Sequence, residues 1–301
     1  MVPILAQLEK INTSRATLIP TGLFSFLPLH AAWTADLSQP SGRRYACDAV
    51  QFSYAPNALS LQAARTIAEA TPATSLLAIN DPQPTSASPL PSSSYEVVNA
   101  LAHFRDSGTW QLLQQEDATT ATVLAALPDC NVAHFSCHGS ANFRAPLDSG
   151  LLMANDETLS LRQLLDLKLQ GLRLAVLSAC ETGIPGTELP DEVVSLPTGL
   201  LQAGAAGVVS SLWSVADLST MVLLSRFYEL WRSEGLEPPA ALRQAQIWLR
   251  DSTGPELAPY LAQSHPDLAA EFAKGSDRHP FGHPHPFAHP FYWAAFTYVG
   301  V

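Results

Sequence analysis

Short apolar runs alternate along this chain with amphipathic stretches, and the alternation predicts strands exchanging with helices. AVQFSYAP (49–56) reads as a strand ended by Pro56, and NALSLQAARTIAEA (57–70) has helical spacing with Asn57 as N-cap. SLLAIND (75–81), TWQLLQQ (109–115), NVAHFSC (131–137), LRLAVLSA (172–179) and GVVSSLW (207–213) predict further strands. Helices are expected over 119–127, 159–167, 193–204, 217–235 and 238–252, the last with proline in its first turn. A Pro/Ser loop over 81–94 should end in a capping box from Ser93 to Glu96, which starts another helix. TLIP and FSFLPLHAAW (17–33) read as a short strand and an extended segment, and SGLLMA (149–154) as a hairpin arm. A Pro/His-rich loop follows residue 252, and YWAAFTYVG (292–300) closes the chain as a strand. Strands that alternate with helices pair in parallel through crossovers and bury both faces, so the fold class is α/β.

Composition narrows the partners. The 301 residues are 47% hydrophobic and 14% charged, enough for a sizeable core. Net charge is −11, from 16 basic and 27 acidic residues. Nucleic-acid binding needs Lys and Arg to neutralise phosphates, so no nucleic acid is expected as a partner. The longest apolar-rich stretch, 199–215, carries Gln202 and several serines and is too polar for a membrane span. No signal peptide is recognised at the start, and four cysteines in no regular spacing make a reducing cytoplasm the default. The abrupt start reads as one end of a longer protein.

Candidate chemistry sits where two strands give out. HFSCHG places His138 and Gly139 just past one strand, and VLSACETG places Cys180 just past another. With one crossover helix between them the strands should be neighbours, and His138 should face Cys180 across the crevice at their C-terminal ends. A thiol nucleophile needs an imidazole near enough to take its proton. Cys47, Cys130 and Cys137 lack such an exit and read as core residues. His134 and His138 are ~13 Å apart on an extended strand, too far for one metal ion, and His134 reads as structural. The late His279, His283, His285 and His289 lack regular spacing because of the prolines among them. No metal and no cofactor are expected; GxSxG, GxxxxGK[ST] and GxGxxG are absent from the sequence.

HFSCHG, VLSACETG, GLLQAGAAGVVSSLWSVAD, AALRQAQIWLRD and HPFYWAAFTYVG together resemble the CHAT domain family, a branch of the caspase-like cysteine peptidases that includes separase. The resemblance spans nearly the whole chain and implies one domain over 1–301. Residues 15–110 would supply the N-terminal strands and helices, and 111–301 the catalytic half. It implies a caspase-like, mostly parallel sheet of about six strands flanked by helices on both faces. It also implies a Cys180–His138 dyad, with the backbone N–H groups of Gly139 and Cys180 as oxyanion hole. The helical repeats that precede this domain in many members are missing from this sequence. A regulatory helical-repeat partner or a missing N-terminal region could supply that role.

The implied activity is limited proteolysis of protein or peptide substrates by a cysteine endopeptidase. The segments 181–192 and 211–217 carry Glu181, Glu188, Asp191, Glu192 and Asp217 and no Lys or Arg, so a basic residue before the cut is expected. Asp217 can equally N-cap the helix that follows it. Two other functions compete: a non-catalytic interaction module with the same groove, and a metal-dependent hydrolase using the late histidines.

Overall fold

A computed structural model describes residues 1–39, 41–105, 108–140, 142, 145–167, 169, 171–179, 195–274 and 284–301. In chain order the strands are β1 (Arg15–Leu18), β2 (Trp33–Ala35), β3 (Arg43–Tyr45), β4 (Gln51–Tyr54), β5 (Ser75–Asn80), β6 (Thr109–Gln114) and β7 (Val132–Ser136). They continue as β8 (Gly139–Ser140), β9 (Gly150–Leu152), β10 (Thr158–Ser160), β11 (Leu174–Ser178), β12 (Gly207–Ser211) and β13 (Phe296–Gly300). The α-helices are α1 (Val2–Lys10), α2 (Ala46–Ala49), α3 (Ala58–Ala70), α4 (Ser93–Ala102), α5 (Thr120–Ala126) and α6 (Leu161–Asp166). After them come α7 (Leu196–Ala203), α8 (Asp217–Tyr228), α9 (Pro238–Asp251), α10 (Gly254–Leu261), α11 (Pro266–Ala273) and α12 (Pro290–Trp293).

An eight-stranded sheet runs β1-β4-β13-β12-β11-β7-β5-β6. It is two strands wider than the resemblance implies, while the mixed α/β class with a mostly parallel sheet holds. The pairs β5–β6, β5–β7, β7–β11 and β11–β12 are parallel, and β13 returns antiparallel to β12. Strands β7, β11 and β12 are buried at every position. Such strands read as apolar runs because helices cover both faces of a parallel sheet. Helix α4 packs on β5 and β7, and α7 on β12 and β13. Asn57 caps α3 by accepting from the Ser60 N–H at 2.8 Å, as its spacing predicts. Helix α7 ends at Gly204, φ 115°, where a Cβ would lie 2.3 Å from the Leu169 carbonyl oxygen. Glycine is needed there on both counts.

The chain divides into two compact units. One comprises Thr17–Leu27, Ser53–Ser214 and Phe296–Val301 and holds most of the sheet. The other comprises Met1–Ala16, Pro28–Phe52 and Val215–Ala295 and is largely helical. Its core centres on Trp293, which meets Tyr45 edge-on at 4.9 Å. The Arg250 guanidinium lies 5.1 Å over Tyr45 and is held by Asp48 at 2.6 Å and by both oxygens of Asp251 at 2.7 Å.

Several sequence expectations need correction. The predicted capping box at α4 is not made. Ser92 is the N-cap, and Glu96 is buried with its carboxylate 2.8 Å from His134 Nε2. A buried carboxylate needs a partner in the core more than a helix end needs a second cap. The predicted helix over 217–235 ends as α8 at Tyr228 and continues as one wider π turn, Glu229–Ser233. Residues after 252 form α10 and α11 rather than a continuous loop. Both have proline in the first turn, where its missing N–H costs no hydrogen bond. Part of the Pro/His stretch, 275–283, lies outside the described residues. Among the described residues no helix is long and apolar enough to cross a membrane.

Candidate active site

Strands β7 and β11 are parallel neighbours, as the single-crossover argument predicts, with Ser136 opposite Ser178. One step further the Cys137 N–H donates to the Ser178 carbonyl at 3.4 Å. On the far side of β11, the Ser211 hydroxyl donates to the Ala179 carbonyl at 2.6 Å. The main chain is therefore pinned up to the residue before Cys180. Cys180 itself, with Glu181 and Asp191, lies outside the described residues.

His138 follows β7 by two residues and is half-buried. Its Nε2 lies 2.7 Å from the Ser88 carbonyl oxygen. A carbonyl oxygen only accepts, so Nε2 must carry the proton. In the neutral ring Nδ1 is then the acceptor, and among the described residues it has no partner. A base oriented by a third group through its other nitrogen is the arrangement that general-base catalysis requires.

Gly139 begins β8, which pairs antiparallel with β9 through Gly139↔Leu151 and Ser140↔Gly150. The Leu152 N–H donates to the His138 carbonyl at 2.8 Å, so His138 and Leu152 form a hydrogen-bonded pair. Bonded and non-bonded pairs alternate in an antiparallel ladder, which makes Gly139 and Leu151 the non-bonded pair. The Gly139 N–H thus points away from β9, with no side chain of its own to obstruct approach.

The remaining candidates fall elsewhere. His134 is fully buried against Glu96, a structural histidine as expected. Cys47, Cys130 and Cys137 are buried. Burial pushes the Cys47 and Cys130 thiols up to about 12, which leaves them protonated and inert. Asp217 is the first residue of α8, half-buried, in the helical unit; Ala216 is the N-cap. His285 Nδ1 lies 2.7 Å from the Asp251 carbonyl oxygen, and His289 caps α12 by accepting from the Phe291 N–H. An open, mostly apolar pocket in the sheet-bearing unit is lined by Pro20, Leu27, Tyr54, Pro197, Leu212 and Val299 among others. Among the described residues no carboxylate lines it. The sequence gives no sign of Ser88, because a main-chain carbonyl has no residue signature.

A mostly parallel sheet with a histidine at one strand end, beside the strand that leads to a cysteine, has the caspase-like fold. The CHAT domain sequence model matches residues 1–301, and the chain belongs to the CHAT domain family. The fold is similar to that of gingipain R (RgpB), described as an Arg-specific cysteine proteinase, with TM-score 0.51 at 11% identity. That likeness covers 83% of this chain and 54% of that one. A complex of the RgpB pro- and mature domains from Porphyromonas gingivalis gives TM-score 0.52 at 10% identity, over 83% and 55% of the two chains. The Saccharomyces cerevisiae separase–securin complex gives TM-score 0.51 at 11% identity, over 84% of this chain and 14% of that one. The chain thus spans about half the length of the gingipain chains, and at these identities the likeness shows the fold alone. No curated protein matches the sequence.

Proposed function

We propose that the chain is a cysteine endopeptidase that cuts specific protein substrates with Cys180 as nucleophile and His138 as base. The observation that carries this reading is the Ser88 carbonyl on His138 Nε2, which leaves Nδ1 to act at the end of the strand beside the one leading to Cys180. His138 Nδ1 takes the Cys180 Sγ proton, and the thiolate attacks the peptide carbonyl carbon. The oxyanion is held by the N–H groups of Gly139 and Cys180; such a donor is worth about 100- to 1,000-fold in turnover. As the C–N bond breaks, His138 returns its proton to the leaving amine. Water, deprotonated by the same imidazole, then hydrolyses the thioester and restores the thiol.

The residue before the cut is Arg or Lys in this reading. Support comes from the carboxylates of Glu181 and Asp191 in the segment after Cys180 and from the net charge of −11, since a cleft of one sign attracts the other. The gingipain of similar fold is Arg-specific by name, but a likeness at 11% identity adds nothing to that preference. A peptide library varied at that single position tests it. A preference for basic residues is expected, and a preference for Asp or a large apolar residue overturns it.

A further inference from the structure

The hairpin formed by β9 and β10 reaches His138 from two directions. Through β9 it holds the main chain, since the Leu152 N–H donates to the His138 carbonyl at 2.8 Å. The turn of the same hairpin holds the loop that carries Ser88. There the Asn155 N–H donates to the Pro84 carbonyl at 2.8 Å, and Asp156 Oδ1 accepts from the Ser86 N–H at 2.6 Å. Residues 84, 86 and 88 are alternately exposed along this loop. Thr85 and Ala87 between them are half-buried, so packing holds this segment only in part and specific hydrogen bonds do the rest.

The turn itself is unusual. Asn155 and Asp156 both have positive φ, 65° and 57°. Non-glycine residues occupy that region at a cost of about 1–2 kcal/mol each, and Asn and Asp tolerate it best. The strained pair aims one main-chain N–H and one carboxylate at neighbouring peptides of the Ser88 loop. The hairpin is pressed tight as well: a Cβ on Gly150 would lie 2.5 Å from Thr158 Cγ2 and 2.6 Å from the Leu159 carbonyl oxygen.

We propose that the β9–β10 hairpin is a bracket that positions the catalytic base, and that Asp156 is its positioning residue. By fastening Ser86 it holds the Ser88 carbonyl against His138 Nε2 and so selects the tautomer with Nδ1 unprotonated. Asp156 acts on His138 through the Ser86–Ser88 segment, with Ser86 as its hydrogen-bond partner. The inference rests on the reading of His138 as the base, but its test does not depend on peptide cleavage.

Asp156→Gly removes the acceptor while keeping a residue suited to positive φ, and Asp156→Asn keeps an acceptor oxygen without the charge. The imidazole nitrogen chemical shifts of His138, measured by NMR at neutral pH, report the tautomer directly. Wild type and Asp156→Asn should show Nε2 protonated, and Asp156→Gly a mixture of tautomers. If the protein cleaves peptides, kcat of Asp156→Gly should fall about tenfold, the upper range for one net hydrogen bond, with KM unchanged and Asp156→Asn near wild type. An unaltered tautomer in Asp156→Gly overturns the proposal. So does an equal change in both variants, which would make charge rather than the hydrogen bond responsible. Unfolding of Asp156→Gly would make the contact a requirement of the fold and overturn the positioning role. A tautomer shift in Asp156→Gly, with a wild type that cleaves no peptide, would uphold the bracket and reject the peptidase reading.

Discussion

In the helical unit, Arg250 is almost fully buried and held from all sides, by Asp48, by both oxygens of Asp251 and by the faces of Tyr45 and Trp293. Burial pushes its guanidinium pKa down, and the hydrogen bonds to Asp251 and Asp48 outweigh that and raise it. At the end of β7, His138 is tied through one ring nitrogen to the Ser88 carbonyl, and its other nitrogen has no partner among the described residues. Both are polar groups beside an apolar core. Arg250 is saturated by fixed protein groups and serves the fold. His138 is fastened and left with a reactive atom. The same contrast recurs along one segment, where His134 on β7 is buried against Glu96 and His138, two residues past the strand's end, is half-buried.

By this difference, His138→Ala should cost activity and little stability. Turnover on a peptide substrate should fall about 100- to 10,000-fold, the range for a general base, with the melting temperature nearly unchanged. Glu96→Ala should do the reverse. It removes the carboxylate bonded to the buried His134 Nε2, which costs about 3 kcal/mol in a denaturant titration, the upper end for a buried polar group that loses a hydrogen bond. Asp48→Ala should cost less, about 2 kcal/mol, because Asp251 keeps two of the Arg250 donors.

The helical unit should also respond to acid through His30. Burial lowers its pKa from 6.5 to about 4. The unfolded chain therefore takes the proton first. Stability is full above pH 6.5, declines as pH falls from 6.5 towards 4, and levels off below 4. The total is about 3 kcal/mol, and denaturant titrations of His30→Phe should lack that slope. Cys137→Ala should have the smallest effect: activity close to wild type, because Cys137 is a buried core residue next to His138.

Much of the fold was legible in the sequence because strands buried on both faces read as short, mainly apolar runs. β5, β7, β11 and β12 are such runs, with small or polar residues towards their ends, and the ends of β7 and β11 mark the candidate site. His138 and Gly139 were legible for the same reason, as polar and small residues placed where an apolar run stops. Glu96 was misread as a cap, because its true partner lies 38 residues away on β7. Helices α10 and α11 were hidden by prolines that also occur in loops. Ser88 and Asp156 were not legible at all. One acts through a main-chain carbonyl, and the other through a contact 70 residues distant in sequence.

The most direct test of the Cys180–His138 reading is site-mapped alkylation of the native protein with a thiol-reactive peptide carrying a basic residue before the warhead. Mass spectrometry should find the label on Cys180 and on none of Cys47, Cys130 or Cys137, whose thiols are buried. His138→Ala should lose that labelling while remaining folded. Label on Cys137, or none on any cysteine of the folded wild type, would contradict the account.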